Sequence, residues 1–480
     1  MRKPLAIFLI ILVHGLTLAQ TERARKSPSL VFNHVTVIDM TGGPSKPDMT
    51  VVVVGNRIAA IGKTGKIREP RNAFVIDAKG KYLIPGLWDM HVHVFHYRLP
   101  LPPDEYKFPL FIANGVTGVR EMWTKPDKMD YVKVWRKQFY ERPGTVPRFV
   151  AVGTLVDGPP VTWKNSDSVS TADEARLMVD KLKAGGVDFV KVYNNLSREA
   201  YFAIADEAKK QHIPFAGHVP FRILLREATN AGQQSVEHLT GILKQDCPTL
   251  DLIAKKEFPN GVPKDLADRP FIEQAMELCD EKRAFAFFQE LAKNDTWEVP
   301  TFPVRTREVA TANSLEEDTR LKYIPAEERD SWKKFSSRNN SRTPDQTSAV
   351  QREMQRALEL VKWMHRAGVE FMAGTDVGNE YIYPGFSLHD DLAMFVKAGF
   401  TPLEALQTAT RNPAKFLGML DSLGTIEKGK FADLVLLEAN PLEDIRNTRR
   451  INAVVMNGSY LPKETLQKML TEAELNASKR

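Results

Sequence analysis

The spacing of apolar residues changes rhythm twice along the 480-residue chain. Over residues 29–83 apolar positions come in short runs. Residues 30–38 alternate, with Val35 and Val37 β-branched. Residues 49–54 form a β-branched run, followed by the turn Gly55-Asn56 and a second run at 57–61. Residues 73–77 and 82–84 complete the set. Runs of this length punctuated by Gly, Asn and Pro predict the strands of a small sheet. β character returns at 432–437 and 451–457, with Gly429 and Asn457-Gly458 as turns.

Between these ends, short apolar runs alternate with helix-period stretches. The runs fall at 87–92, 115–122, 148–156, 189–193, 215–219, 234–238, 297–304 and 369–375, and helical periodicity fills 172–184, 198–211, 388–398 and 402–410. Thr401-Pro402 fits an N-cap followed by proline at the first helical position. Eight strand candidates alternating with helices predict a parallel sheet closed into a (β/α)8 barrel. The expected α/β architecture is therefore a TIM barrel over 85–423 and a small composite β-sandwich built from 28–84 and 424–462. Residues 463–480 read as an amphipathic helix that frays into a tail. Two charged insertions, about 245–293 and 305–356, interrupt the rhythm after the sixth and seventh strand candidates. They are expected to form a helical cap over the barrel mouth, with surface decoration as the alternative.

Composition narrows the function. Hydrophobic residues make up 43% and charged residues 26%, which excludes a collagen-like or wholly disordered chain. The net charge of +6 comes from 66 basic and 60 acidic residues without a like-charge block, so no nucleic-acid partner is expected. Two cysteines, Cys247 and Cys279, rule out a cysteine-rich framework. They could pair in an oxidising compartment or stay as buried thiols. Arg2 and Lys3, the apolar run 6–13 and the small residues Thr17 and Ala19 predict a signal peptide over 1–19. The run is too short to span a bilayer, which takes about 20 apolar residues. A secreted or periplasmic protein, off the membrane after cleavage, is the expectation. Sequons begin at Asn195, Asn294, Asn339, Asn457 and Asn476.

The chemistry sits at the ends of the apolar runs. His91 and His93 are two apart on a strand and so point to one side. His218, His238 and Asp376 each stand where another run stops. In a barrel the C-terminal ends of all strands face one mouth, which makes these positions converge. Lys191 lies inside Phe189-Val190-Lys191-Val192-Tyr193, where desolvation disfavours an ammonium. It either pairs with a carboxylate or has reacted with CO2 to give an anionic carbamate. Around these residues, Tyr193 and Arg120 are candidate substrate contacts, with core packing and a buried Arg120–Glu121 ion pair as the alternatives. His389 and His96 are further candidates. His365 and His212 read as structural.

On these residues the chain resembles the amidohydrolase superfamily, close to imidazolonepropionase-like hydrolases and the exported Xaa-Pro dipeptidase or metal carboxypeptidase branch. The resemblance runs from Val37-Ile38-Asp39 through Leu83-Ile84-Pro85-Gly86-Leu87-Trp88-Asp89-Met90-His91-Val92-His93 and Ala373-Gly374-Thr375-Asp376 to Ala432-Asp433-Leu434-Val435-Leu436 and Asn440-Pro441-Leu442. It implies two divalent metal ions, zinc being favoured. One would be held by His91, His93, Lys191 and Asp376, and the other by Lys191, His218 and His238. Lys191 would be carboxylated and bridge the ions with a hydroxide, and Asp376 would act as general base. The implied reaction is hydrolysis of a C–N amide bond in a small-molecule amide or peptide, such as an Xaa-Pro dipeptide or N-acyl amino acid. A cyclic amidase, lactonase or phosphotriesterase-like hydrolase is the second reading, and a non-catalytic binding protein the remote one. A homo-oligomer is left open.

Overall fold

The computed structural model describes residues 29–95, 104–242 and 281–479. The expectations for the leader, for Cys247, Cys279 and His96, and for most of the first insertion lie outside the described residues. The strands are β1 (Leu30–Val37), β2 (Lys46–Val54), β3 (Arg57–Lys63), β4 (Phe74–Asp77), β5 (Tyr82–Pro85), β6 (Leu87–Val92), β7 (Val116–Glu121), β8 (Arg148–Ala151) and β9 (Leu155–Asp157). They continue with β10 (Asp167–Ser168), β11 (Val190–Val192), β12 (Phe215–Gly217), β13 (Ser235–Glu237), β14 (Trp297–Val299), β15 (Leu434–Leu437), β16 (Ile451–Met456) and β17 (Ser459–Pro462).

Strands from both ends of the chain share one eight-stranded sheet, ordered β17-β16-β15-β5-β1-β2-β3 with β4 on β1. The sandwich expected from sequence is this single sheet. β4 and β5 follow one another along one side of β1, pairing at Leu30–Asn33 and Thr36–Val37, so the hydrogen-bonded ladder is continuous through β1. The period-2 alternation of β15 and β16 divides their side chains between two cores. Leu434, Leu436, Ala453 and Val455 join the sheet's own cluster with Phe32, Val51 and Leu83. Val435, Leu437, Val454 and Met456 join the large central core with Val92, Val119 and Val190. The sheet is thereby fixed to the parallel strands.

The parallel strands form a three-stranded sheet, β6-β7-β8, and a six-stranded sheet, β10-β9-β11-β12-β13-β14. β8 pairs with β7 and β9 with β11, so one stretch of chain, 148–157, serves both sheets. The stretch 370–377 lies between β14 and β6. Met372 N donates to Glu298 O at 3.0 Å, Met90 N to Ala373 O at 2.9 Å and Asp376 N to His91 O at 2.7 Å. Sequence predicts a full strand at 369–375, and the structure holds only isolated bridges there. Three successive amides explain this. Ala373 N turns to Thr408 O, Gly374 N to Asp391 and Thr375 N to Asp89. The run at 297–304 also stops early, at Val299. Pro300 has no donor, Thr301 is left-handed with φ 47°, and the helix Phe302–Val309 begins at once.

Outer helices follow their sequence signals. Thr171 caps the helix Ala172–Ala184 by accepting from Glu174 N, and Ala175, Val179 and Leu182 recur at helical spacing on its buried face. The second insertion is helical, including Ala326–Asn340 and Pro344–Arg366. Its Leu315, Ile324, Trp332 and Phe335 pack on Tyr381 and Tyr383, which places it on the loop that follows Asp376. The terminal helix Lys463–Ala477 is docked, where sequence predicts fraying. Leu466 and Ala473 are buried, and Lys322 pairs with Glu474 at 2.8 Å. Among the described residues no helix is long and apolar enough to cross a membrane.

Candidate metal centre

His91 and His93 leave the end of β6 on one side, as strand geometry requires. Asp376 follows the stretch that lies beside β6. The three form a tight buried group whose ligand atoms lie within 4.8 Å of one another. His93 Nε2 is 3.1 Å and His91 Nε2 3.4 Å from Asp376 Oδ1. From the other sheet come Lys191 on β11, His218 after β12 and His238 after β13. The His238 ring lies 4.6 Å from that of His91 and 4.9 Å from that of His218. Lys191, His93, His218, His238 and Asp376 line one pocket of about 60 Å³ with Tyr193. The structure thus brings all six residues expected as metal ligands to one place.

The imidazoles are oriented from behind. His91 Nδ1 meets Glu237 Oε2 at 2.7 Å, His218 Nδ1 meets Asn194 Oδ1 at 2.8 Å, and His238 Nδ1 meets Thr301 Oγ1 at 2.6 Å. His93 Nδ1 faces Glu121 Oε1 at 3.8 Å. The hydrogen-bonded Nδ1 atoms of His91, His218 and His238 present Nε2 as the ligand edge. The buried Nε2 of His91 makes no hydrogen bond. Lys191 is 2% exposed and forms no hydrogen bond or ion pair among the described residues. An orphaned imidazole nitrogen and an unpartnered amine beside a carboxylate are what a divalent cation and a bridging anionic ligand would satisfy. The donor set of imidazole and carboxylate oxygen fits zinc.

Electrostatics favour the ligand protonation states of His91, His238 and Asp376, while His93 shifts the other way. Burial holds His91 well below its ordinary value, with Lys191 adding to the effect. Burial takes His238 down to about 4 against the pull of Asp376. Burial opposes the His93 cation too, but contact with Asp376 and Glu121 outweighs it and the group moves up. For Asp376 burial works upward, and His238, His93 and Lys191 together bring it below the usual range. Burial lowers the Lys191 amine to about 8, although Asp376 and Glu237 pull the other way.

Close packing and backbone strain converge here. Asp376 and His238 are left-handed, with φ 62° and 63°, a conformation rare for residues with a Cβ. Gly217 (φ 129°) passes so near β11 that a Cβ would lie 2.3 Å from Val192 O and 3.2 Å from Lys191 Cγ.

Other candidates fall in different places. Tyr193 lines the pocket, its ring 4.0 Å from that of His218 and its hydroxyl accepting from Trp163 Nε1 at 3.0 Å. Arg120 does not face substrate. It is fully buried, donating to Met90 O at 2.6 Å, Ser235 Oγ at 3.0 Å and Glu237 Oε1 at 2.8 Å. Its ion-pair partner is Glu237, and Glu121 instead accepts from Val94 N and Trp123 N. His389 is structural, bonded to Thr448 Oγ1 and Asn114 O. His365 stacks on Phe400 at 3.8 Å, and His212 occupies a turn with φ 51°. Sequence reasoning missed Glu237. The available signal was the same one that marked Lys191, a charged residue inside a short apolar strand. Asp89 was missed as a site residue as well. Burial pushes it up to about 7, and it accepts from Thr375 N and Oγ1, next to Asp376.

Comparison with known proteins adds the family. A family model described as the amidohydrolase family matches residues 82–461. Among sequence relatives, an adenine deaminase of Rubrobacter xylanophilus is 38% identical over 77 residues, 16% of this chain and 13% of that protein. Ochratoxinase of Aspergillus niger is 38% identical over 91 residues, 18% of each chain. The chain thus matches only 13–18% of the length of these relatives. Among solved structures, bottromycin amidohydrolase superposes with a TM-score of 0.73 at 22% identity, covering 94% of this chain and 91% of that one. A putative prolidase from Bifidobacterium longum gives 0.65 at 22%, covering 93% and 99%. A Xaa-Pro dipeptidase with bound methionine gives 0.64 at 19%, covering 90% and 100%. With most of its length matched by the family model, and with the TIM-barrel-type α/β fold of these neighbours, the chain belongs to the amidohydrolase family.

Proposed function

We propose that this chain is an exported, binuclear metal-dependent hydrolase that cleaves a C–N amide bond in a dipeptide or N-acyl amino acid. The observation that carries the proposal is the convergence of His93, His218, His238, Asp376 and the buried Lys191 on one small pocket, with His91 grouped against His93 and Asp376. His91, His93 and Asp376 would hold one ion, His218 and His238 the other, and Lys191, as its carbamate, would bridge them. Two divalent cations, zinc by donor chemistry, supply an acidified water and polarise a carbonyl oxygen. Forming the carbamate joins the Lys191 nitrogen to CO2 and releases one proton. A neutral amine is required for that step, and burial favours it at Lys191. In this reading the two parallel sheets and the stretch 370–377 close as one eight-segment barrel around the site.

Asp376 Oδ1, beside both His91 and His93, takes up the proton of the attacking water and delivers it to the leaving nitrogen. Tyr193 borders the pocket as a donor to the substrate. Glu237 and Arg120 act from behind, holding the His91 ring. The structural likeness to a prolidase and a Xaa-Pro dipeptidase supports a dipeptide substrate. Export rests on the pattern of the first nineteen residues.

A substrate panel tests the reading. The purified protein should release amine from Xaa-Pro and other dipeptides or from N-acyl amino acids, and Asp376→Asn should lose that release. Turnover confined to lactones or phosphotriesters would replace the amide assignment.

A further inference from the structure

A second, larger cavity adjoins the metal pocket. It measures about 360 Å³, and His238 lines both. Three arginines reach this cavity. Arg338 and Arg342 are committed, both pairing with Glu308. Arg305 is not. Its one hydrogen bond among the described residues runs from Nη2 to the carbonyl oxygen of His238 at 2.7 Å. Its Nε is sealed from solvent without a hydrogen-bond partner, and the carboxylates of Glu353 and Glu308, which also line the cavity, attract it without forming an ion pair to it among the described residues. A guanidinium has five donors in a planar fork that matches a carboxylate. Here the fork is anchored to the backbone of a metal-site residue and keeps its remaining donors. Val304, Val350 and Met354 give the same cavity an apolar wall.

We propose that Arg305 binds a carboxylate of the substrate, so that the amide placed at the metal centre belongs to a molecule carrying a free carboxylate beside a medium-sized apolar group. This inference rests on the hydrolase reading for its reaction and on the cavity for its specificity. A neutral amide of the same shape would leave the guanidinium half-buried and unpaired. Such a mismatch is what separates an acid from its amide.

Two measurements on the metal-loaded full-length protein test it. The first compares kcat/KM for N-acetyl-L-leucine and N-acetyl-L-leucinamide. The parent should prefer the acid. Arg305→Met should lower the acid-to-amide ratio about 30-fold, through KM, the scale of a lost charge-assisted hydrogen bond. Arg305→Lys should restore part of the ratio. An equal fall for both substrates would mean that Arg305 only supports His238, and the inference would be wrong. The second is calorimetric binding of 4-methylpentanoate against neutral 4-methyl-1-pentanol, with metal content checked in each variant. Selective loss of the acid in Arg305→Met at parent metal content supports the inference even if no amide is turned over, an outcome that would sink the hydrolase reading alone. Equal affinity in parent and variant overturns it.

Discussion

Glu237 and His91, 146 positions apart in sequence, meet through Oε2 and Nδ1 at 2.7 Å with both side chains wholly buried. Glu237 also accepts from Ser235 Oγ at 2.6 Å and from Arg120 Nη2 at 2.8 Å. The carboxylate is thus fixed on three sides and fixes the ring in turn. Outer partners of this kind commonly change metal affinity by about 10–100-fold. Glu237→Gln should weaken metal binding in that range, measured by competition with a chelator. It should also lower the melting temperature, because Arg120 loses the carboxylate it pairs with in the core. Metal affinity equal to the parent's would remove Glu237 from the site.

Asp376 Oδ1 faces the Nε2 edges of both His91 and His93, at 3.4 and 3.1 Å, so its loss should fall on chemistry. Asp376→Asn should cut amide turnover by roughly 100-fold or more, the usual scale for a proton-transfer group, while far-UV circular dichroism stays native. Turnover that survives the change contradicts the general-base role.

Gly217 marks where two strands approach most closely at the site. Gly217→Ala puts a methyl group against Val192 O and Lys191 Cγ and strains a backbone at φ 129°. Such strain costs on the order of 1–3 kcal/mol. A lower thermal midpoint together with lost metal is expected. A parent-like melt would show that the strands can separate there without cost.

His389 gives a pH dependence away from the metal. Burial, with Arg449 nearby, brings its imidazole down to about 4 from an ordinary 6.5. The unfolded chain therefore binds the extra proton between those values. Its contribution to stability is complete above pH 6.5 and falls as pH drops toward 4, by about 3 kcal/mol. His389→Gln should flatten the decline in denaturation midpoint between pH 7 and 4.5. An unchanged slope would place the titration elsewhere.

The ligand positions were legible because each charged or imidazole side chain interrupts or ends an apolar run, and a barrel brings such ends together. The alternation of β15 and β16 was legible for a similar reason, since a period of two is a direct reading of two faces. What sequence could not supply was direction within the core. Arg120 and Tyr193 both read as mouth residues, yet Arg120 turns beneath the site to Glu237 while Tyr193 stays in the pocket. The direction of Arg120 is set by Glu237, 117 positions away. The stretch 369–375 looked like a strand, but its amides go to Thr408, Asp391 and Asp89, and no local pattern records that. Arg305 passed unnoticed inside a charged insertion, because only the fold shows which of the arginines lining that cavity forms no ion pair among the described residues.

The central claim is the bridged pair of ions, and metal content tests it most directly. Protein purified without chelator should carry about two equivalents of zinc by elemental analysis, and Lys191→Ala should lose a clear share of them. One equivalent or none in the parent, or full occupancy in Lys191→Ala, would contradict the bridged binuclear site.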